Sequence, residues 1–218
     1  MPRIGVLLSG CGVFDGTEIH EAVLTLLALD RAGAEIRCMA PNVEQAHVID
    51  HLTQRETGEK RNVLVESARI ARGQVEDVKG VQASALDGLI MPGGYGAAKN
   101  LSDFAFKGKD ASVHPEVRRL LRGMIDAGKP VGAICIAPAV LAKAVADRGP
   151  EVTIGNDAGT ASAIEAMGGR HRTCTVDMIH VDAANRIVST PAYMLGPSIR
   201  HVAEGIEKLV AKVLALAG

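Results

Sequence analysis

Residues 4–33 read IGVLLSGCGVFDGTEIHEAVLTLLALDRAG, and their pattern indicates the fold of the N-terminal part of the chain. The apolar run Ile4 to Leu8 has the length of a buried strand, and a Gly-rich turn follows it up to Gly16. A helix is predicted to begin there with Thr17 as its N-cap, because apolar residues recur at helical spacing until Ala32 and Gly33 end the pattern. A strand that leads through a turn into a helix is the repeating unit of α/β proteins.

The same alternation continues along the chain. Further strands are predicted at residues 36–40, 88–91, 131–134 and 152–154, and helices at residues 62–71, 114–127, 137–146, 160–167 and 199–216. Asn185 and Arg186 form a turn signal between two short apolar segments, which predicts an antiparallel hairpin at one edge. We therefore predict an α/β fold of the flavodoxin-like, doubly wound type. Its mostly parallel sheet would have helices on both faces and a small antiparallel edge hairpin.

The domain organisation follows from what interrupts this pattern. The segment 42–81 is polar and contains the charged run 54–61, which is typical of a solvated loop or hairpin. No repeat, low-complexity segment or linker rich in Gly, Pro or Ser divides the chain. We predict one domain over residues 1–218.

Composition disfavours several function classes. The chain has 24 Lys plus Arg against 25 Asp plus Glu, together with 2 Tyr, 3 Phe and no Trp. Neither a basic excess for phosphates nor aromatic side chains for base stacking is present, so nucleic-acid binding is not expected. No apolar run is long enough to span a bilayer, and the first residues lack the zones of a secretory signal. We therefore predict no membrane association and a cytoplasmic location.

The four cysteines are well separated and form no Cys-x-x-Cys pair, which argues against a zinc ribbon or a thioredoxin-type site. We predict neither a metal site nor a cofactor. Cys135 differs from the other three cysteines in its position, because it lies between a predicted buried strand and a predicted helix. The residues two positions before and after it, Ala133 and Ala137, are small. This pattern is typical of a nucleophile elbow, and the helix N-terminus would favour the thiolate. The competing interpretation is a buried cysteine that ends a core strand.

A second strand-to-turn junction indicates where other groups of a site would lie. Gly93 and Gly94 follow the strand at residues 88–91, and their N–H groups could stabilise an oxyanion. The first helix carries Glu18, His20 and Glu21 near its beginning. Glu18 and Glu21 share a face. Glu21 could reach the cleft over the strand ends and share a proton with the thiol, whereas acidic residues in a first turn are more often solvated partners of the helix dipole.

Several segments carry a resemblance to a known family. They are IGVLLSGCGVFDG (residues 4–16), EIHEAV (18–23), MPGGYGAAKNLS (91–102), ICIAPA (134–139) and TPAYML (190–195). Together they resemble the ThiJ/PfpI superfamily of class I glutamine-amidotransferase-like domains. Within it, the chain is most similar to the ElbB-type branch, whose members are named as glyoxalases or, in older descriptions, as isoprenoid-biosynthesis proteins.

The resemblance implies roles for particular residues. Cys135 corresponds to the family's elbow cysteine, and Glu21 to the glutamate that contacts it, with Glu18 as the near alternative. Backbone donors correspond to the Gly93–Gly94 turn and to Ile136. In protease-like and amidotransferase members a His directly follows the cysteine or completes a triad elsewhere, whereas Ile136 stands in that next position here. A triad hydrolase is therefore not expected, and His20 is the first candidate among the scattered histidines.

The implied activity is that of a glutathione-independent glyoxalase, a lyase that converts glyoxal or a related 2-oxoaldehyde into a 2-hydroxy acid without a cofactor. The same chemistry could serve as a protein deglycase. Two alternatives stay open: a redox sensor or binding module built on Cys135, and an amidotransferase partner domain. The family also implies a homodimer. Cys11, in the first Gly-rich turn, could lie near Cys135 or be a packed turn residue.

Overall fold

The computed structural model describes residues 1–218, which form eleven strands and eight α-helices joined by loops and short 3-10 turns. The strands are β1 (Arg3–Leu7), β2 (Glu35–Ala40), β3 (Ile49–Asp50), β4 (Arg55–Glu56), β5 (Val75–Asp77), β6 (Gly88–Met91), β7 (Val131–Ile134), β8 (Glu151–Val152), β9 (Arg170–His171), β10 (His180–Asp182) and β11 (Ile187–Thr190). The helices are α1 (Ile19–Arg31), α2 (Val63–Ile70), α3 (Tyr95–Lys99), α4 (Phe104–Lys107), α5 (Pro115–Asp126), α6 (Ala137–Ala144), α7 (Ala158–Ala166) and α8 (Ile199–Ala217).

A seven-stranded sheet has the order β10-β11-β7-β6-β1-β2-β5. All neighbours in it are parallel except β10 and β11, which pair antiparallel. From β1 the chain builds outward through β2 to β5 and then returns to place β6 on the other side of β1. The strand order therefore switches between β1 and β6, where open α/β sheets form a crevice at the carboxyl ends of their strands.

Helices cover both faces of this sheet. The helices α1 and α8 pack against each other on one face, while α5 and α6 belong to the hydrophobic core on the other. The strands β6 and β7 are buried at every residue, which explains their apolar sequences. In α5 the buried Val117, Leu120, Leu121 and Met124 recur at helical spacing, so one stripe faces the core.

The structure confirms the predicted doubly wound α/β fold and its antiparallel edge, which turns at Asn185 and Arg186 between β10 and β11. The charged run 54–61 is exposed throughout, and Arg55 and Glu56 near its beginning form β4, which pairs antiparallel with β3. No helix combines the length and the apolarity that a transmembrane segment requires.

Three local predictions were wrong or incomplete. Thr17 does not cap α1, because its Oγ1 accepts the Ser9 N–H at 2.7 Å, and Glu18 is the N-cap instead. The strand predicted at residues 152–154 is shorter than expected: β8 ends at Val152 and pairs with β9 outside the main sheet. It ends there because the next N–H, that of Thr153, donates to the side chain of Ser189 instead of to a neighbouring strand. The edge strand β5 was missed because its three residues, Val-Glu-Asp, carry almost no apolar signal.

Candidate functional site

Cys135 occupies a sharp turn between β7 and α6. Its φ is +61°, a left-handed conformation that costs a residue with a side chain free energy on the order of 1–3 kcal/mol. The Cys135 N–H donates to the Thr190 carbonyl oxygen at 3.0 Å, so the neighbouring strand β11 holds the turn in place. The side chain is 8% exposed. This is the geometry of a nucleophile elbow, in which a strained turn presents the side chain at the top of the sheet.

Glu21 lies on α1 and is completely buried beside this thiol. Its Oε2 accepts the Gly93 N–H at 2.9 Å, and its Oε1 accepts the Tyr193 N–H at 3.2 Å. The Cys135 thiol lies beside the carboxyl and acts to lower the pKa of Glu21. Every polar atom of the buried carboxyl therefore has a partner, as burial of such a group requires.

The Gly93–Gly94 turn contributes two different contacts. A Cβ at Gly93 would lie 2.4 Å from the Cys135 Cβ and 2.8 Å from Glu21 Oε2, so only glycine lets the turn approach the pair this closely. The expected role of Gly93 as an oxyanion donor needs correction, since its N–H is already bound to Glu21. The N–H groups of Gly94 and Ile136 instead act on the Cys135 thiol and lower its pKa.

Burial controls the protonation of the pair. Burial, together with the charge of Glu18, raises the pKa of Glu21 to about 8, although the N–H donors and the thiol act in the opposite direction. Burial and the negative charge of Glu21 also raise the pKa of Cys135 well above its ordinary value. The N–H groups of Gly94 and Ile136 favour the thiolate, as expected for a helix N-terminus, but desolvation outweighs them and the pKa of Cys135 is raised.

Glu18 and His20 lie at the edge of the pair. Glu18 Oε2 accepts the Glu21 N–H at 2.7 Å, which makes Glu18 the N-cap of α1, and burial raises the pKa of its carboxyl. His20 is largely exposed, and its Nδ1 forms a 2.7 Å hydrogen bond with the Tyr193 hydroxyl. The histidine thus contacts Tyr193 rather than Cys135.

A cavity of about 430 Å³ opens above the thiol. Its lining is mostly apolar and comprises Val13, Glu18, Gly94, Tyr95, Ala98, Phe104, Ala105, Cys135, Ile136, Asp157, Thr160, Tyr193 and Met194. Four residues that the sequence predicts for the site, Cys135, Ile136, Gly94 and Glu18, meet here. A cavity of this size with a few convergent polar groups is the usual form of a small-molecule site.

Cys11 does not join this site. Burial and the charges of Glu66 and Asp15 raise the pKa of its thiol, and it does not line the cavity above Cys135. Its turn is packed closely, because a Cβ on Gly16 would lie 2.3 Å from the Cys11 nitrogen. The structure brings together no group of three His, Cys, Asp or Glu side chains that could hold a metal ion.

Tyr193 is the main residue of the site that sequence reasoning left without a role. Its backbone holds Glu21, its hydroxyl holds His20, and its side chain lines the cavity. A signal was available, since it follows β11 by a few residues and ligands in α/β sheets bind beyond the carboxyl ends of strands. The walls contributed by α4 and α7 had no comparable signal in the sequence.

Known proteins with similar sequences and structures show the family to which this chain belongs. The sequence profile of the DJ-1/PfpI family matches residues 11–160. The chain belongs to the DJ-1/PfpI family. A human relative, "Glutamine amidotransferase-like class 1 domain-containing protein 3, mitochondrial", is 50% identical over 226 residues, which cover 99% of this chain and 84% of the relative. The zebrafish "ES1 protein, mitochondrial" is 35% identical over 98% of this chain and 86% of its own length.

A solved structure is also very similar to this DJ-1/PfpI family member. It is the crystal structure of an isoprenoid biosynthesis protein with amidotransferase-like domain from Ehrlichia chaffeensis, with a TM-score of 0.91 and 42% identity over 98% of this chain and 99% of that one. The names of the relatives contradict the prediction of the cellular location. The human, rat and zebrafish proteins are named as mitochondrial, which points away from the predicted cytoplasmic location.

Proposed function

We propose that this protein is a cofactor-independent glyoxalase that converts a 2-oxoaldehyde into the corresponding 2-hydroxy acid through a covalent adduct on Cys135. The observation that carries the proposal is the fully buried Glu21 carboxyl beside the Cys135 thiol, which itself lines a mostly apolar cavity. A nucleophile beside a base of raised pKa is the arrangement that covalent catalysis with proton transfer requires.

The first step forms a hemithioacetal. The ionised Glu21 carboxylate takes the thiol proton, the sulfur forms a bond to the aldehyde carbon, and the proton passes to the aldehyde oxygen. The Gly94 and Ile136 N–H groups favour the thiolate form of Cys135 and would stabilise negative charge that develops on the sulfur and on the adjacent oxygen. Binding in the cavity supplies the orientation for this addition.

The second step moves hydrogen between neighbouring carbons. Glu21 removes the proton from the former aldehyde carbon to give an enediol and returns a proton to the former ketone carbon, which leaves a thioester of the 2-hydroxy acid. The aldehyde carbon is oxidised and the ketone carbon reduced, so no external oxidant is needed. Water then cleaves the carbon–sulfur bond, releases the acid and restores the thiol. One water is consumed overall.

The alternatives fit the geometry less well. A redox sensor relies on a thiol of lowered pKa, whereas burial raises the pKa of the Cys135 thiol. An amidotransferase would use a histidine to activate the cysteine, whereas the side-chain partner of Cys135 is Glu21 and Ile136 occupies the next position. Release of early glycation adducts would use the same steps as the proposed activity.

The test is to incubate purified protein with glyoxal and with methylglyoxal, without glutathione, and to identify products by NMR. We expect glycolate and lactate from the wild type and none from Cys135→Ala or Glu21→Gln. Cys174→Ala, a free and partly exposed cysteine outside the cavity, is the matched control and should keep the wild-type rate. Aldehyde loss without hydroxy acid, at equal rates in wild type and Cys135→Ala, would contradict the proposal.

A further inference from the structure

The cavity above Cys135 is much larger than glyoxal needs. Its volume is about 430 Å³, within the range of roughly 300–1,000 Å³ that is typical of sites for drug-sized ligands. Glyoxal has only four non-hydrogen atoms, and a single water occupies about 30 Å³ in the liquid. A dialdehyde of this size would therefore leave most of the cavity to solvent.

The chemistry of the walls selects among larger molecules. Val13, Ala98, Phe104, Ala105 and Met194 supply an apolar lining from separate parts of the chain. Binding of an apolar group to such a surface is favourable, because it removes apolar area on both sides from contact with water.

Charge on the walls excludes other candidates. The ionisable carboxyl groups of the lining are Glu18 and Asp157, and no Lys, Arg or His lines the cavity. Asp157 already accepts the Thr160 N–H at the start of α7, so that helix end is occupied by its own cap. A phosphate or carboxylate on the substrate would find carboxylates and no cation, which disfavours anionic aldehydes.

We propose that the preferred substrate is an uncharged 2-oxoaldehyde with a bulky apolar substituent on the ketone carbon, such as an aryl or branched alkyl group, which fills the cavity beside Cys135. This inference rests on the proposed glyoxalase activity for its reaction and on the cavity for its specificity. The aldehyde would face Cys135 and Glu21, while the substituent would lie against Phe104, Ala105 and Met194.

The first experiment compares phenylglyoxal with methylglyoxal, which differ only in the ketone substituent. We expect kcat/KM to be at least about tenfold higher for phenylglyoxal, with mandelate as the product, since one methylene in an apolar pocket is already worth roughly tenfold or more. Ala105→Leu narrows the apolar wall from an exposed helix position and should lower kcat/KM at least about fivefold more for phenylglyoxal than for methylglyoxal. Ala215→Leu, on an exposed face of α8 outside the cavity, is the matched control. Equal kcat/KM values, or equal losses in Ala105→Leu, would overturn the proposal.

A second experiment tests the cavity without turnover. Cys135 is labelled with 2-chloroacetamide and with 2-chloro-N-phenylacetamide, and the two rates are followed by intact mass with Cys135→Ala as the blank. We expect the phenyl reagent to react at least about tenfold faster, relative to the ratio measured with free cysteine, and Ala105→Leu to remove most of that advantage. A ratio equal to that of free cysteine would overturn the inference about the cavity. Absence of hydroxy acid from every aldehyde, with the labelling advantage intact, would instead contradict the proposed function.

Discussion

The Gly93 N–H donates to Glu21 Oε2 at 2.9 Å and thereby joins the turn after β6 to the first helix. This contact orients the carboxyl toward the Cys135 thiol, and it can form only because Gly93 lacks a Cβ that would overlap the Cys135 Cβ. The Gly93 N–H therefore positions the Glu21 carboxyl, which is the acid–base group of the proposed reaction, and it is not free to bind an oxyanion. The Gly94 and Ile136 N–H groups remain for the sulfur and its adduct.

Activity should rise with pH through the pKa of Glu21, which lies at about 8. Below that pH the carboxyl carries a proton and cannot accept another from the thiol, so kcat/KM should fall by up to tenfold per pH unit. The measurement is kcat/KM from pH 6 to 10 with methylglyoxal. A profile that is flat over this range would contradict the assignment of Glu21 as the base.

Glu18→Gln provides a second test of the pKa of Glu21. The negative charge of Glu18 contributes to the raised pKa of Glu21, so its removal should move the midpoint of the pH profile to a lower value. The Gln side chain still offers an oxygen to the Glu21 N–H, which preserves the helix cap. An unchanged midpoint would show that Glu18 does not act on Glu21 through its charge.

Stability should also depend on the ionisation of Glu21. Its pKa is 4.5 in an ordinary setting and about 8 in the fold, so between these pH values the folded state holds a proton that the unfolded state has released. The free energy of unfolding therefore contains a component that decreases as pH rises through this window, by at most about 1.4 kcal/mol per pH unit. Glu21→Gln lacks this component. Urea unfolding from pH 5 to 9 should show the variant gaining stability relative to wild type as pH rises, whereas parallel curves would rule out a raised pKa.

Gly93→Ala should lower kcat/KM by about 100-fold or more. The new Cβ would lie 2.4 Å from the Cys135 Cβ and 2.9 Å from the Ile134 carbonyl oxygen, so the turn must move away from the pair. A displacement of about 1 Å is enough to cost roughly 100-fold in rate. Gly80→Ala is the matched control, because a Cβ added there would have no atom within 4 Å, and it should keep wild-type kcat/KM. Similar kinetics in the two variants would refute the positioning role of Gly93.

Tyr193→Phe should separate the backbone role of this residue from that of its side chain. The substitution removes the 2.7 Å hydrogen bond to His20 but keeps the N–H that binds Glu21. We expect kcat/KM to fall less than about tenfold and the pH midpoint to stay at the wild-type value, because the hydroxyl does not contact Glu21. A shifted midpoint would instead place the His20–Tyr193 pair in the proton-transfer path.

Much of the fold could be predicted from sequence because its signals are local. Apolar runs such as Val131 to Ile134, bounded by Gly and Pro and followed by helical spacing, are typical of buried parallel strands. The edge strand β5 escaped because it is short and polar and is held by pairing with β2, an interaction between distant segments. Thr17 and the segment after β8 were mispredicted for a related reason, since tertiary side-chain hydrogen bonds replace the local pattern there.

By itself, the sequence determined the alternation of strands and helices and the elbow at Cys135, because both depend on spacing within a few residues. It also indicated Glu21 through a resemblance. Only the tertiary structure decided what these groups face. The raised pKa values of Glu21 and Cys135, the N–H of Gly93 on the carboxyl and the apolar walls from α4 all arise where distant segments meet at the strand ends. Desolvation and close approach depend on everything packed around a group, and spacing along the chain does not contain that information.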